Sequence, residues 1–392
     1  MKLLKAIKAW WKGLNPKVRW TISTVLKVGV TVLAFYALLT HKIRVDKESD
    51  PVTIISAITT YLPTVDARTF WTFCIIAGAV KFVGVLCSAF SWHLLLVGQR
   101  IKFPFWRHIV TTFLIGRFIG TFLPSTLGLD GYTLYDAGRY SNQWERVTMA
   151  KALEKFIGIT GLFLGMLILM PFGIHIFEGN AMMAGLIIGS VAGSVVLAVF
   201  LGVFFPTLLQ KLMSLALKLT PGFIRNKIET QAERLIEAAG AYKGRTGLLI
   251  TTFVAKFMVH FTTAIVYVFT AYAVGVATVD FGAVTFASTI QILGTVLSPT
   301  IAGEGAREAI QAFLLSGQMT TVQAVLSAAL GFIAAEAATL WGGAFWWGRR
   351  GNFRPVYCTV DDQQVDYEHL NAKAEQSESS VGLQDGPLGA SQ

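Results

Sequence analysis

Leu297–Ile310 reads LSPTIAGEGAREAI, and how this stretch sits in a membrane decides the fold. Apolar sequence flanks it on both sides. Val284–Val296 (VTFASTIQILGTV) precedes it, and Gln311–Leu315 and the long run after Thr320 follow. Pro299, Gly303 and Gly305 interrupt the apolar run, and Glu304, Arg307 and Glu308 fall within five residues. Proline and glycine stop helices, so one helix ends here and another begins.

Composition sets the solvent. Of 392 residues, 54% are hydrophobic and only 14% charged, with a mean hydropathy of +0.57. Soluble domains carry about 25% charge, so this is an integral membrane protein. The apolar runs are continuous rather than alternating, which selects helices over a β-barrel. Cys74, Cys87 and Cys358 form no disulfide framework and no metal-ligand spacing, so neither metal nor cofactor is expected. The net charge of +10 sits in short loops beside apolar segments. That is the positive-inside pattern, not a nucleic-acid surface. In residues 1–19, Lys2, Lys5, Lys8 and Lys12 oppose Leu3, Leu4, Ile7, Trp10, Trp11 and Leu14. This reads as a basic amphipathic helix lying on an anionic lipid surface.

Eight apolar segments stand out, at 20–40, 70–98, 108–123, 148–171, 181–206, 247–275, 284–317 and 320–347. Charge decides which of them cross. Residues 1–19 hold six basic residues and no acid, and 99–107 (QRIKFPFWR) three basic residues and no acid, so both belong inside. If 108–123 crossed fully, loop 207–246, with seven basic residues, would lie outside, and 172–180 (FGIHIFEGN), with none, inside. Both assignments invert the rule. A 108–123 segment that dips in and returns restores it. By the same count, 276–283 belongs outside and 348–354, with three arginines, inside, so 284–317 also enters and returns.

The expected architecture is therefore an all-α polytopic membrane protein. It has six transmembrane helices and two re-entrant helical hairpins in an inverted repeat, broken at Pro124 and Gly128 and at Pro299, Gly303 and Gly305. Paired interruptions in the two halves point to a binding site near the midplane. Eight full crossings is the rival reading. Residues 207–246 read as a cytoplasmic segment joining the halves, and 348–392 as a disordered cytoplasmic tail. Both termini are expected in the cytoplasm of a cell inner membrane.

Charged residues at membrane depth face protein or water. Glu304, Arg307 and Glu308 share one helical face at i, i+3, i+4, where Arg307 reaches both carboxylates. Lys151, Glu154 and Lys155 repeat that spacing with reversed sign, either pairing with the first triad or by coincidence, with Lys151 solvated near the interface. Arg117 lies alone in GRFIG (116–120), as either an anion clamp or a cap for backbone carbonyls. Lys81, Lys256, His260 and Glu336 are candidate cavity-lining residues, with His93 near them. For the histidines a hydrogen bond to a neighbouring helix is the simpler reading. Asp130, Asp136 and Arg139 lie in GLDGYTLYDAGRY at the cytoplasmic mouth, either as a solvated loop or in a gating or headgroup role.

Trp92 and its following basic loop, GRFIGTFLPSTLGLDG (116–131), AGRY (137–140), LEKF (153–156) and LSPTIAGEGAREA (297–309) come in a fixed order. Together they resemble the transmembrane family named for lysylphosphatidylglycerol synthases, flippase-like membrane proteins, over most of residues 20–350. The resemblance implies movement of a lipid headgroup between leaflets. It places Pro124, Asp130, Glu154, Pro299, Gly303, Gly305, Arg307 and Glu308 at motif positions. GLD stands where GGD is usual, Tyr132 and Thr133 stand where an arginine is expected, and Lys155 replaces an arginine. The large aminoacyl-transferase domain of the synthases is missing, so synthesis of a lysyl-lipid is not expected.

The functional expectation is a lipid transporter that is not ATP-driven and not an enzyme, since no Walker A, HExxH or GxSxG motif appears in a soluble segment. Its substrate is a membrane lipid with an anionic or zwitterionic headgroup. Arg117, Asp130, Glu154, Lys155, Glu304, Arg307 and Glu308 are the candidate substrate-binding residues. The alternative is a membrane scaffold for a lipid-modifying enzyme, with a membrane-embedded transferase further behind.

Overall fold

A computed structural model describes residues 52–122, 127–216, 222–298, 305–349 and 357–365, together with 15, 25, 29, 32, 36, 40 and 42–43. The expected interfacial helix at 1–19 and most of the first expected crossing, 20–40, lie outside these residues. A short strand pair, β1 (Lys42–Ile43) with β2 (Val52–Thr53), leads into α1 (Ile54–Tyr61). The long helix α2 spans Ala67–Gly98, capped by the Asp66 carboxylate, which accepts from Thr69 N at 2.7 Å. Asp280 Oδ1 accepts from Ala283 N at 2.9 Å in the same way, capping the helix Phe281–Leu297.

Beyond β3 (Ile101–Lys102), a π-helical turn over Phe105–Val110 runs into α3 (Thr111–Phe122), and α4 spans Leu127–Ser141. Next come α5 (Trp144–Gly173) and α6 (Ala181–Phe204). A 3-10 turn containing Glu178 at φ 47° separates them. Two surface helices follow, α7 (Pro206–Ala216) and α8 (Gly222–Gly240). The second half contains α9 (Thr246–Ala273), α10 (Phe281–Leu297), α11 (Ala306–Leu314), α12 (Thr321–Ala337) and α13 (Gly342–Gly348). Ala67–Gly98, Trp144–Phe204, Thr246–Ala273 and Thr321–Gly348 carry apolar windows long enough to span a bilayer. The break at Glu178 makes the second of these a pair of helices.

α2 and α9 run antiparallel at the centre. Gly84 of α2 meets Thr262, where a Cβ would stand 2.4 Å from the threonine hydroxyl. Small residues at such crossings let membrane helices approach closely. Tyr61 Oη donates to Val274 O at 2.7 Å at one end of the pair, and Tyr242 Oη to Leu95 O at 2.8 Å at the other.

Two helical hairpins open from opposite ends of this pair. α3 and α4 fold back on each other: Thr112 bonds Asp136 at 3.0 Å, and Gly120 lies against Gly128 at the tip. Their open end sits beside the α2 C-terminus, in one apolar core with Trp92, Leu95, Ile101 and Phe103. α10 and α11 likewise pack together, Gly294 against Ile310. Ala283 and Val284 at the start of α10 share the second core with Leu314 and Leu315 at the end of α11, beside the α9 C-terminus. Each hairpin also packs on the closing helix of the other half. A Cβ on Gly342 would stand 2.1 Å from Leu114 O, and one on Gly282 2.2 Å from Phe172 O.

The halves repeat at a spacing of 175 residues. Lys81 and Lys256, Trp92 and Tyr267, Pro124 and Pro299, and Gly128 and Gly303 are all so related. Arg100 and Gly275, also 175 apart, both take left-handed backbone after the long helices, at φ 59° and 79°. The contacts obey the same relation. Lys81 Nζ donates to Thr263 Oγ1 at 3.0 Å, and Lys256 Nζ to Ser88 Oγ at 3.3 Å.

Three expectations need correction. Gly128 is not the turn of its hairpin; it sits in the first turn of α4, where an added Cβ would lie 2.3 Å from Gly120 Cα. The segment 320–347 is not one helix, because 338–341 form turns between α12 and α13. The tail is not wholly disordered. Residues 359–360 and 363–364 form strands β4 and β5, and β4 pairs antiparallel with β3. The reason is local: Cys358 is fully buried, and Lys102 bonds Asp362 at 2.5 Å.

Candidate functional site

The two hairpins meet at a pocket of about 190 Å³. α2 contributes Lys81, α3 Arg117, α10 Thr295 and Val296, α11 Arg307, and α12 Phe332 and Glu336. Arg117 and Glu336 were two isolated charges in the sequence, 219 residues apart. Here Arg117 Nη2 lies 3.3 Å from Glu336 Oε1, and Arg117 Nε donates to Thr339 Oγ1 at 3.4 Å. Both side chains stay about one-fifth exposed, so the pair faces the pocket rather than being sealed away. Lys81 is held against α9 through Thr263.

Arg307 enters the pocket from the other hairpin and is almost fully buried. Its Nη2 and Nε reach Glu308 Oε1 at 2.5 and 3.0 Å, and its guanidinium lies 4.4 Å from the Phe332 ring centre. Glu308 Oε2 accepts from Gly305 N at 2.8 Å. Gly305, at φ 78°, restarts the helix as expected for a break residue. One carboxylate thus caps α11 and orients the arginine. Pro124, Pro299, Gly303 and Glu304 lie outside the described residues. The pocket therefore gathers three cationic groups and one carboxylate among mostly apolar side chains and the hydroxyls of Thr263, Tyr267 and Thr295, a donor set suited to an anion.

Glu154 belongs to a second cluster, on the hairpin-one side. Its Oε2 accepts from Lys151 Nζ at 2.5 Å and its Oε1 from Lys256 Nζ at 2.6 Å, all three side chains being more than nine-tenths buried. Lys151 also stacks 4.0 Å over the Trp92 ring. Asp130 reaches the cluster from α4, 3.1 Å from Lys155 and 3.8 Å from Lys151. Gly161 lets α9 approach α5 at this level, since a Cβ there would stand 2.9 Å from the Lys256 backbone. Among the described residues the two charge triads do not pair with each other: Glu154 is held by Lys151 and by Lys256 of the second half, and Arg307 by Glu308. His260 Nε2 lies 2.9 Å from Gly158 O, bridging to the neighbouring helix. His93 stacks edge-on with Phe105.

A third polar group escaped the sequence reading. Asp136 is on a helix and buried, not in a solvated loop. His108 Nε2 lies 2.7 Å from Asp136 Oδ2, and Arg349 of the chain after α13 reaches Asp136 Oδ1 at 3.2 Å, Thr112 at 2.7 Å, His108 O at 3.0 Å and Thr111. These contacts fasten the open end of hairpin one to the last helix. Arg139 stays outside, bonding Tyr135 Oη. Tyr267, Gln291 and Gln311 were missed as well. Gln291 Nε2 donates to Tyr267 Oη at 3.0 Å, and both glutamines are fully buried. Thr285, Ser288, Thr289 and Gln291 share one side of α10, at offsets of three, four and six residues from Thr285, a polar face inside an apolar run that could have marked it.

A family model described as the lysylphosphatidylglycerol synthase TM region matches residues 25–342. No curated protein matches the chain.

Proposed function

Because the chain belongs to the lysylphosphatidylglycerol synthase transmembrane family, we propose that it moves a lipid with an anionic or zwitterionic headgroup between the leaflets of a cell inner membrane. One observation carries this reading. Two hairpins that open from opposite ends both contribute side chains to a single pocket bearing Lys81, Arg117, Arg307 and Glu336. Irregular backbone at membrane depth is tolerated where protein buries it or water reaches it, and transporters use such broken helices for midplane sites. Exposed Trp106, Trp144, Trp346 and Trp347 on the hairpin-one half and Trp71 near the start of α2 suit the two interfaces of a bilayer. In that setting α3–α4 and α10–α11 are re-entrant, with both termini cytoplasmic.

Arg117 and Lys81 hold the phosphate of the headgroup, and Glu336 neutralises Arg117 when the pocket is empty. Movement is driven by gradient or exchange rather than ATP, and no covalent chemistry is performed on the lipid. The test is flip of a fluorescent short-chain phosphatidylglycerol in proteoliposomes, read by dithionite quenching, against a fluorescent diacylglycerol. Protein should accelerate the phospholipid alone. The Lys81→Met/Arg117→Gln variant should lose about tenfold or more of that rate, the scale of one lost charged hydrogen bond. A folded double variant with the wild-type rate would overturn the proposal and favour the scaffold reading.

A further inference from the structure

The 175-residue repeat says more about the site than the pocket alone. Lys81 and Lys256 are the same position in the two halves, and each donates to a hydroxyl on the other's helix, Thr263 and Ser88, which are themselves 175 apart. The neighbours match too. Gly161 lies against Lys256, and its repeat mate Glu336 shares the pocket with Lys81. Yet the two lysines meet different surroundings. Lys81 borders an open pocket. Lys256 is buried, and its ammonium, with that of Lys151, closes on both oxygens of Glu154. Glu154 has no acidic mate, because its repeat position is Ala329, and Lys151 corresponds to Leu326.

We infer that Lys151 and Lys256 form a second anion-binding station for the same headgroup, held shut in this conformation by the protein's own Glu154 carboxylate. This rests on the transport reading and adds to it a second stop along the path. The geometry fits. Two ammonium groups grip opposite oxygens of one carboxylate, as they would two oxygens of a phosphate. Trp92 fixes Lys151 from behind at 4.0 Å, and Lys155 and Asp130, partly exposed, stand at the outer side of the cluster. Including those two, three lysines face two carboxylates, so the cluster carries a net charge of +1. An entering phosphate displaces Glu154 rather than meeting bare lysines. The repeat then supplies two stations, each built from both halves, and the Lys81 pocket is the open one in this conformation.

The test is equilibrium binding of dioctanoyl phosphatidate to purified detergent-solubilised protein. Glu154→Gln should tighten binding about tenfold or more, by releasing two charged donors. Adding Lys256→Met to Glu154→Gln should erase the gain, whereas adding Arg117→Gln should leave it. Removing one partner of a buried ion pair destabilises a fold, so Glu154→Asp, which withdraws the carboxylate by one methylene, is measured in parallel and should tighten binding in the same direction. Unchanged or weaker binding in both variants, or a gain that survives Lys256→Met, overturns the second station. Binding is read without transport. A protein that gains affinity but flips no lipid would therefore sink the transport reading alone, and one that flips lipid without the gain would sink only the station.

Discussion

Glu308 is the residue on which the second hairpin turns. It holds the guanidinium of Arg307 with one oxygen and the N–H of Gly305 with the other, at 1% exposure. Replacing it with alanine strands a buried cation and an unpaired helix-start N–H together. Breaking a buried pair from one side costs about 3–5 kcal/mol, so Glu308→Ala should unfold at markedly lower temperature or denaturant than Glu308→Gln. The glutamine keeps an acceptor for Gly305. Equal losses in the two variants, followed by tryptophan fluorescence during unfolding, would contradict this division of labour. At this scale the sequence was legible where a charge sat alone among apolar residues. Glu336 demanded a partner, and the fold gave it Arg117, which the sequence left open as an anion clamp or a cap for backbone carbonyls. Partner identity was not legible, because Lys256 and Glu154 are 102 residues apart and nothing local distinguishes that pairing from the rejected one between triads.

Hairpin one is held at its tip by contact between glycines and at its open end by charge. Gly128→Val would drive a branched side chain into the Gly120 backbone, and overpacking of this kind costs about 1–3 kcal/mol. The same change at Gly131, which faces open space, should cost far less. A comparison of the two thermal shifts decides whether that contact sets the hairpin's geometry. The docked strands β4 and β5 offer a second test, by pH. The Lys102 ammonium beside Asp362 holds its carboxyl below the usual Asp range. A carboxyl depressed in the folded state contributes stability above its unfolded value, and that contribution is lost as pH falls through the folded one. With Cys74 and Cys87 replaced, the buried Cys358 thiol should resist dithiodipyridine at pH 7 and react as the pH drops below about 4. Flat reactivity across that range would show that Asp362 does not hold the strands. Composition marked the tail as unstructured, because a nine-residue docked segment is too short for periodicity to reveal, and its partner strand is two residues long.

For the whole molecule, the four long apolar helical stretches followed from hydropathy, a property of continuous segments, whereas the turns at 338–341 and the place of Gly128 inside α4 did not. The two-fold relation was only partly legible, through Pro124 and Pro299. It becomes plain when contacts can be compared at a fixed offset, since few residue identities survive between the halves. The membrane arrangement predicts sidedness. In a variant lacking native cysteines, Trp106→Cys and Tyr357→Cys should label from one side with an impermeant maleimide, and Val279→Cys from the other. If position 279 labels from the same side as 106, the hairpins do not enter from opposite faces, and the repeat is not inverted about the membrane plane.

The fastening of hairpin one carries a consequence for biogenesis. Its open end is tied by Arg349 and by the strand containing residues 359–360, through bonds that join positions 213 to 260 residues apart. Those residues leave the ribosome after every long helix of the second half. The first hairpin therefore spends most of synthesis without its final ties. The emergence of Arg349 and the β4 strand, rather than the synthesis of α3 and α4, is the moment at which the first half is locked.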